Sequence, residues 1–305
     1  MNRKALITGA TGYIGAKLCQ QLRADGWQID VLVRETGRPL AQALADKVTP
    51  HSYDGNTRSV LDAVAAAKPD VVFHLASLFI AEHHSDQVAG LINSNLLFAT
   101  QLAEACAHNG VKRFINTSTA WQHYRSDAYD PVCLYAATKQ AFEDILDFYS
   151  DAFSMRVITL KLFDTYGPDD PRPKLLNLLL KAMENGEELG ISPGDQLLDL
   201  VHINDVTRAF SICAQQLLQG ASCRQHERYA VSSGATVSVR ELVALLEQLS
   251  GKAINVTFGA RPYRAREVMS PWLTDRHPPA WKAEIDTRSG LAFMLKSPHQ
   301  HDISA

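Results

Sequence analysis

Tyr135 and Lys139 stand four residues apart in "LYAATKQAFED" (134–144), the spacing that puts two side chains on one face of a helix. A phenol titrates near pH ~10 in water. An ammonium beside it favours the phenolate and draws that value toward working pH, so the pair is a candidate proton donor and acceptor. Just upstream, "INTSTAWQHY" (115–124) ends an apolar run in a cluster of hydroxyls. Thr119 is placed there to hold a carbonyl or alcohol oxygen beside Tyr135. A tyrosine–lysine pair is common on solvated helices, and it gains weight from what precedes it in the chain.

What precedes it is "TGATGYIG" (8–15), where an apolar run stops and a helical pattern starts. Gly9 permits a tight turn, Gly12 lets a pyrophosphate approach the backbone, and Gly15 lets the helix pack on the strand. Thr11, Tyr13 and Ile14 fill the same turn. Free N–H groups at the helix start and the helix dipole favour a diphosphate there, so the turn predicts a bound dinucleotide. An NAD site usually has a carboxylate after the second strand, and an NADP site has arginine. The stretch "VLVRETGR" (31–38) has Val33 at the acidic position, followed by Arg34, with Arg38 near. NADP(H) is therefore preferred, with NAD(H) possible. "SYDGN" (52–56) supplies Asp54 and Gly55 for the adenine, and Leu75, Ala76 and Ser77 of "HLAS" pass beneath the cofactor. Lys139 also reaches the nicotinamide ribose, and hydride moves between nicotinamide and substrate carbon while Tyr135 supplies or takes the proton.

The elements that must position these groups alternate. Short apolar runs rich in β-branched residues at 4–8, 28–34, 47–53, 70–76, 112–118 and 155–163 predict strands covered on both faces. Helical patterns lie between them at Tyr13–Ala24, Thr57–Ala67, Gln87–His108 and Leu134–Asp151. Such alternation predicts an α/β fold, a Rossmann-like doubly wound parallel sheet, whose ligands bind beyond the carboxyl ends of the strands. Residues 1–165 read as the dinucleotide-binding domain. "YGPDDPRPK" (166–174) then opens a looser region, with helices at 175–185, 204–218 and 239–249 and short strands near 196–201 and 228–231. Residues 166–305 read mainly as a smaller C-terminal substrate-binding lobe, interleaved with the sheet domain.

The chain has 305 residues, 46% of them hydrophobic, and a formal charge of −3. That is enough for one large domain with a lobe. Near-neutrality gives no electrostatic reason for nucleic acid or an anionic membrane as partner. The five cysteines (19, 106, 133, 213 and 223) form no CxxC pair and read as reduced thiols. With no signal segment and no apolar run of ~18 residues, the expected location is cytoplasmic. Adjacent histidines in "AEHHSD" (81–86) and "HQH" (299–301) cannot easily face one ion from one element, so no metal site is expected. The tail "KSPHQHDISA" is expected to fray, and "FDTYGPDDPRPK" to form a mobile loop over the substrate.

Taken together, "TGATGYIG", "VVFHLAS", Asn95, "FINTSTA", "YAATK", "LKLFDTYGP" and "GDQLLDLVHINDV" resemble the extended short-chain dehydrogenase/reductases. Within these the chain is similar to the NAD(P)-dependent epimerase/dehydratase group acting on nucleotide sugars. The resemblance covers about residues 4–210 and extends weakly through "RPYRAREV" and "WKAEIDTRSGL". It implies Thr119, Tyr135 and Lys139 as the catalytic set. It also implies cofactor contacts at Asn95, Thr117 and Phe163, and a nucleoside-diphosphate-sugar site with Phe79, Trp121, Asp164 and Arg264. A homodimer through helices near 90–108 and 134–151 is implied as well.

Three departures narrow the chemistry. Leu198 replaces an arginine that in the family helps hold the diphosphate, and Asp164 stands where many members have asparagine. The 4,6-dehydratases follow the hydroxyl with an Asp–Glu pair, whereas Ala120 and Trp121 follow Thr119 here, which disfavours dehydration. A 4-epimerase with retained NAD and an NADPH-consuming 4-ketoreductase remain. Arg34 favours reduction of a 4-keto-6-deoxy sugar, in a neighbourhood similar to the CDP-abequose and CDP-paratose type, with "WQHY" (121–124) lining the sugar pocket. A non-catalytic NADP-binding sensor stays open as a further alternative.

Overall fold

The computed structural model describes residues 3–35, 37, 39–220 and 225–296. Its first half runs β1 (Lys4–Thr8), α1 (Tyr13–Ala24), β2 (Gln28–Arg34), α2 (Gln42–Ala45), β3 (Thr49–Tyr53), α3 (Thr57–Ala67), β4 (Val71–His74), α4 (Val88–Ile92), α5 (Phe98–His108), β5 (Arg113–Thr119), α6 (Leu134–Phe153) and β6 (Arg156–Leu162). The second half adds β7 (Asp164–Tyr166), α7 (Leu175–Asn185), β8 (Leu189–Ile191), β9 (Leu197–Leu198), β10 (Leu200–His202), α8 (Ile203–Gln219), β11 (His226–Val231), β12 (Val237–Ser238), α9 (Val239–Ser250), β13 (Val256–Phe258) and α10 (Thr287–Lys296).

Seven strands form one parallel sheet in the order β11-β6-β5-β4-β1-β2-β3. The order reverses between β1 and β4, so the crevice at their carboxyl ends is where a ligand of such a sheet sits. Both faces are buried, as the unbroken apolar runs require. Leu18 and Leu22 of α1 and Val206 and Phe210 of α8 pack with Ile7, Ile115 and Ile158 on one face. On the other face, Val64 of α3, Leu102 of α5 and Phe142 of α6 pack with Leu6, Val72 and Phe114. A third cluster, with Leu179, Leu200, Leu242, Leu246 and Leu291, is the core of the lobe.

Two elements differ from the sequence expectation. The predicted strand near 228–231 is six residues long and pairs in parallel with β6, as the outer strand of the main sheet. The predicted helix 87–108 is broken: a wide π turn at Asn93–Leu97 separates α4 from α5 and carries Asn95 inward, 1% exposed. Such turns accommodate one extra residue and recur at functional sites. The short α2, β7, β8, β12 and β13, and α10, were not expected. The two- and three-residue strands have too few positions for a period to register.

Cys19, Cys106, Cys133 and Cys213 are unpaired thiols; Cys223 lies outside the described residues, as do Arg38, His299, His301 and the tail from 297 on. Among the described residues no cluster of ligating side chains could hold a metal ion, and no helix is long and apolar enough to cross a membrane.

Candidate active site

The turn after β1 is built as a seat for a backbone-binding ligand. Gly9 has φ +78°, and a side chain on it would meet Ala76 N at 2.6 Å. A side chain at Gly15 would stand 2.1 Å from the Gly9 carbonyl oxygen, so α1 touches the turn only because Gly15 has none. Gly12 caps α1 without any side-chain hydrogen bond, which leaves the first-turn amides to an anion. On β5, two strands from β1, the Thr117 hydroxyl is buried without a partner. A cradle with free donors and an orphaned hydroxyl fits a dinucleotide.

Several expected contacts are tied into this seat. Leu75 N–H donates to the Thr8 carbonyl at 3.2 Å and Ala76 N–H to Thr8 Oγ1 at 3.2 Å, which draws β4's exit against the turn. The Tyr13 hydroxyl donates to the Pro168 carbonyl at 3.1 Å, and the Arg172 guanidinium lies over its ring at 4.9 Å. Lys17 pairs with Asp169, and Arg172 with Asp170. The loop expected to be mobile is thus strapped to α1. Arg34, at the end of β2, is exposed and has no carboxylate bound to it among the described residues. Asp54 is already engaged: its Oδ1 accepts Asn56 N–H at 2.8 Å and the Ser59 hydroxyl at 2.7 Å, which holds its carboxyl below the usual range. It shapes the start of α3 beside Gly55.

The reactive helix is fixed by Asn95. Its Oδ1 accepts from Leu78 N–H at 2.8 Å and the Ser77 hydroxyl at 3.1 Å, while Nδ2 donates to Leu78 O and Thr138 Oγ1, both at 3.0 Å. With all of its amide committed, Asn95 positions Ser77 against α6. Ser77 lies near enough to the Tyr135 hydroxyl to favour its ionised form. The Phe79 ring meets Tyr135 edge-on at 5.0 Å and Trp121 at 5.4 Å, and Arg264 lies 6.0 Å over Trp121 with Glu82 3.8 Å from its Nε. Thr119 Oγ1 accepts Trp121 N–H at 3.2 Å, which leaves its own proton to donate elsewhere. Tyr135, Phe79, Trp121 and Arg264 therefore form one run of ring contacts, and Thr119 joins it through the Trp121 backbone.

The electrostatics correct one expectation. Burial pushes Tyr135 up to about 12, with the Ser77 hydrogen bond pulling the other way, and Lys139 does not draw it down. Burial likewise pushes Lys139 down to about 8, partly offset by Glu143. Desolvation opposes the charged form of each group more strongly than their proximity favours it.

"WQHY" does not form one wall. Trp121 faces Phe79, and Gln122 is wholly buried. His123 accepts from Lys161 at 2.8 Å and stacks on Trp272 at 4.0 Å, and Tyr124 lies under Arg266. One residue per face follows from the short 3-10 turn at Ala120–Gln122. Phe163 stacks on Trp272 at 6.2 Å. Beyond them is a cavity of about 720 Å³, lined by His123, Lys161, Arg228, Trp272 and Arg276, and not by Tyr135 or Lys139. Asp164 pairs with Lys174 at 3.5 Å, and Leu198 packs into the lobe core.

Sequence reasoning missed Glu143, Lys161 and Arg228. Lys161 had a signal, as a second charge, five residues after Arg156, deep inside the apolar run "MRVITLKLF". Glu143, four residues beyond Lys139, continued the reactive face of α6.

The chain is 25% identical to a CDP-abequose synthase of Yersinia pseudotuberculosis over 269 residues, covering 88% of this chain and 91% of that one. It is 27% identical to a UDP-glucose 4-epimerase of Mycolicibacterium smegmatis over 257 residues, covering 78% and 80%. The solved structure of MoeE5 in complex with UDP-glucuronic acid and NAD matches with a TM-score of 0.83 at 27% identity, over 96% of this chain and 97% of that one. The sequence model of the NAD-dependent epimerase/dehydratase family matches residues 5–227. Because that match runs from β1 to the start of β11, through the glycine turn and the reactive helix alike, the chain belongs to the NAD-dependent epimerase/dehydratase family and is an NAD(P)-dependent enzyme of the extended short-chain dehydrogenase/reductase type.

Proposed function

We propose that this protein reduces a nucleoside-diphosphate 4-keto-6-deoxy sugar at the expense of NADPH. The observation that carries the reading is the half-buried phenol of Tyr135, walled by Phe79, which in turn meets Trp121, with Ala120 and Trp121 rather than carboxylates after Thr119. The carboxylate behind this wall, Glu143, is fully buried and bonded on both oxygens, so it cannot serve as acid or base for loss of water.

The glycine turn, Ser77 and Lys139 would hold the dinucleotide, and Arg34 would take its 2′-phosphate. When bound, the reduced nicotinamide supplies a hydride to the carbonyl carbon. Tyr135, kept protonated at neutral pH by burial, delivers a proton to the carbonyl oxygen while the Thr119 hydroxyl donates to the same atom. On this reading Arg264 and the Asp164–Lys174 pair would meet the nucleotide part of the substrate, where Leu198 offers no charge. Similarity to CDP-abequose synthases supports this reading.

A second reading is a nucleotide-sugar 4-epimerase with retained NAD. It is supported by similarity to the M. smegmatis epimerase and to a structure that holds NAD. Purified protein incubated with NADPH and a panel of nucleoside-diphosphate 4-keto sugars separates the two. Reduction oxidises NADPH in step with product, and epimerisation forms product without net loss. Tyr135→Phe is expected to lower kcat by about 10²–10⁴-fold; unchanged turnover would reject the role of Tyr135. We further propose a homodimer through α5 and α6, where Phe148 and Phe153 of α6 and Leu97 of the turn before α5 are exposed. Light scattering on wild type and Phe148→Glu tests it, with a shift to monomer expected.

A further inference from the structure

Glu143 is 0% exposed and accepts hydrogen bonds from three elements, with a cation from a fourth beside it. Ser118 Oγ, near the end of β5, lies 2.7 Å from Glu143 Oε1 and from Gln122 Oε1, with one proton to donate between them. Gln122 Nε2 donates to Glu143 Oε1 at 2.9 Å and to Gln140 Oε1 at 2.8 Å. On the other oxygen, Arg228 Nε of β11 donates at 3.0 Å, and Lys161 Nζ of β6 stands at 4.0 Å. Ser118 immediately precedes Thr119, and Gln122 immediately follows Trp121. The two residues that flank the candidate substrate contacts are therefore anchored on one atom of α6, the helix bearing Tyr135 and Lys139.

We propose that Glu143 is a positioning residue of this site, a buried carboxylate that fixes the Thr119–Trp121 turn against the reactive helix and sustains the ammonium of Lys139 one helical turn away. The first half follows from geometry. A carboxylate with no solvent is stable only with its donors in place, so the turn cannot drift without leaving charge unpaired. The second half follows from charge. Lys139 makes no hydrogen bond to any described residue, and burial works against its ammonium with Glu143 as the opposing influence. The other titratable neighbours give no support: His74 of β4 is held neutral by burial and by Lys139 itself, and Tyr135 is protonated. Arg228 and Lys161 face Glu143 from the sheet and, if Glu143 were neutral, would add repulsion.

The inference rests on the proposed roles of Thr119, Tyr135 and Lys139, so its test includes a readout that needs no turnover. The Lys139 side-chain resonance, assigned by loss in Lys139→Met, is titrated by NMR in wild type and Glu143→Gln. The expected result is a fall of the Lys139 midpoint by about half a pH unit or more. In turnover, kcat is expected to drop tenfold or more with KM changed less than threefold, and Glu143→Asp to recover part of it. An unmoved midpoint together with unchanged kcat overturns the proposal. If Glu143→Gln does not fold, Ser118→Ala decides. A fall in kcat with the Lys139 midpoint held supports the anchoring, and unchanged kcat overturns it. If wild type turns over no nucleoside-diphosphate sugar, the reaction proposed above falls, while the titration still decides the role of Glu143.

Discussion

The rings of Phe79 and Tyr135 form a T-shaped pair, with centroids 5.0 Å apart and planes at 81°. Such a T-shaped pair is worth about 0.5–1.5 kcal/mol. Phe79 is 53% exposed, so little else in the fold depends on it. Phe79→Ala is expected to lower kcat/KM by about tenfold, a shift of 1.4 kcal/mol, with the melting temperature within about two degrees of wild type. Steady-state kinetics and calorimetry on the same preparation check both halves.

In the proposed reaction Lys139 is expected to set an alkaline limit. Its ammonium is present below about 8 and is lost as pH rises through that value, while Tyr135, pushed up to about 12, stays protonated throughout. The reductive kcat is expected to be level near neutrality and to fall with pH above about 8. A profile still level two units higher would show that the Lys139 charge is not needed.

The proposed preference for NADPH rests on Arg34. An exposed guanidinium without a bound carboxylate is free to take a phosphate bidentately. Arg34→Ala is expected to raise the Kd for NADPH by tenfold or more and leave that for NADH within about twofold. Fluorescence titration of both reduced cofactors measures the contrast, and equal losses would remove Arg34 from phosphate recognition.

Gly15 tests the seat itself. A Cβ at 2.1 Å from the Gly9 carbonyl oxygen cannot be accommodated by a side-chain rotation, because both sides of the clash are backbone. Gly15→Ala is expected to destabilise the fold by more than about 2 kcal/mol and to weaken dinucleotide binding. Gly26→Ala, with open space around its Cβ position, bears only the left-handed backbone cost.

The sheet was legible because its strands are continuous apolar runs and its helices are amphipathic. The bounds of α1, α3 and α7 read from pattern alone are those of the structure. The turn after β1 and the shared helix face of Tyr135 and Lys139 were legible through two spacings, the glycine triplet and the four-residue step. What was not legible depends on contacts between elements distant in sequence. The Asn95 clamp joins residues 17 and 43 positions away, and Glu143 meets Arg228 across 85. The sign of the Tyr135 displacement also escaped, because proximity of a lysine can be read from spacing and loss of solvent cannot.

Placing β11 at the sheet's outer edge and α8 across its face means that the chain cannot be cut at residue 165 into two self-sufficient pieces. A truncated product ending there would leave β6 as an unpaired, sticky margin and uncover the greasy surface that Val206, Phe210, Cys213 and Leu217 shield. Expressed alone, it should collect in the insoluble fraction, and co-expression of the missing half should rescue it.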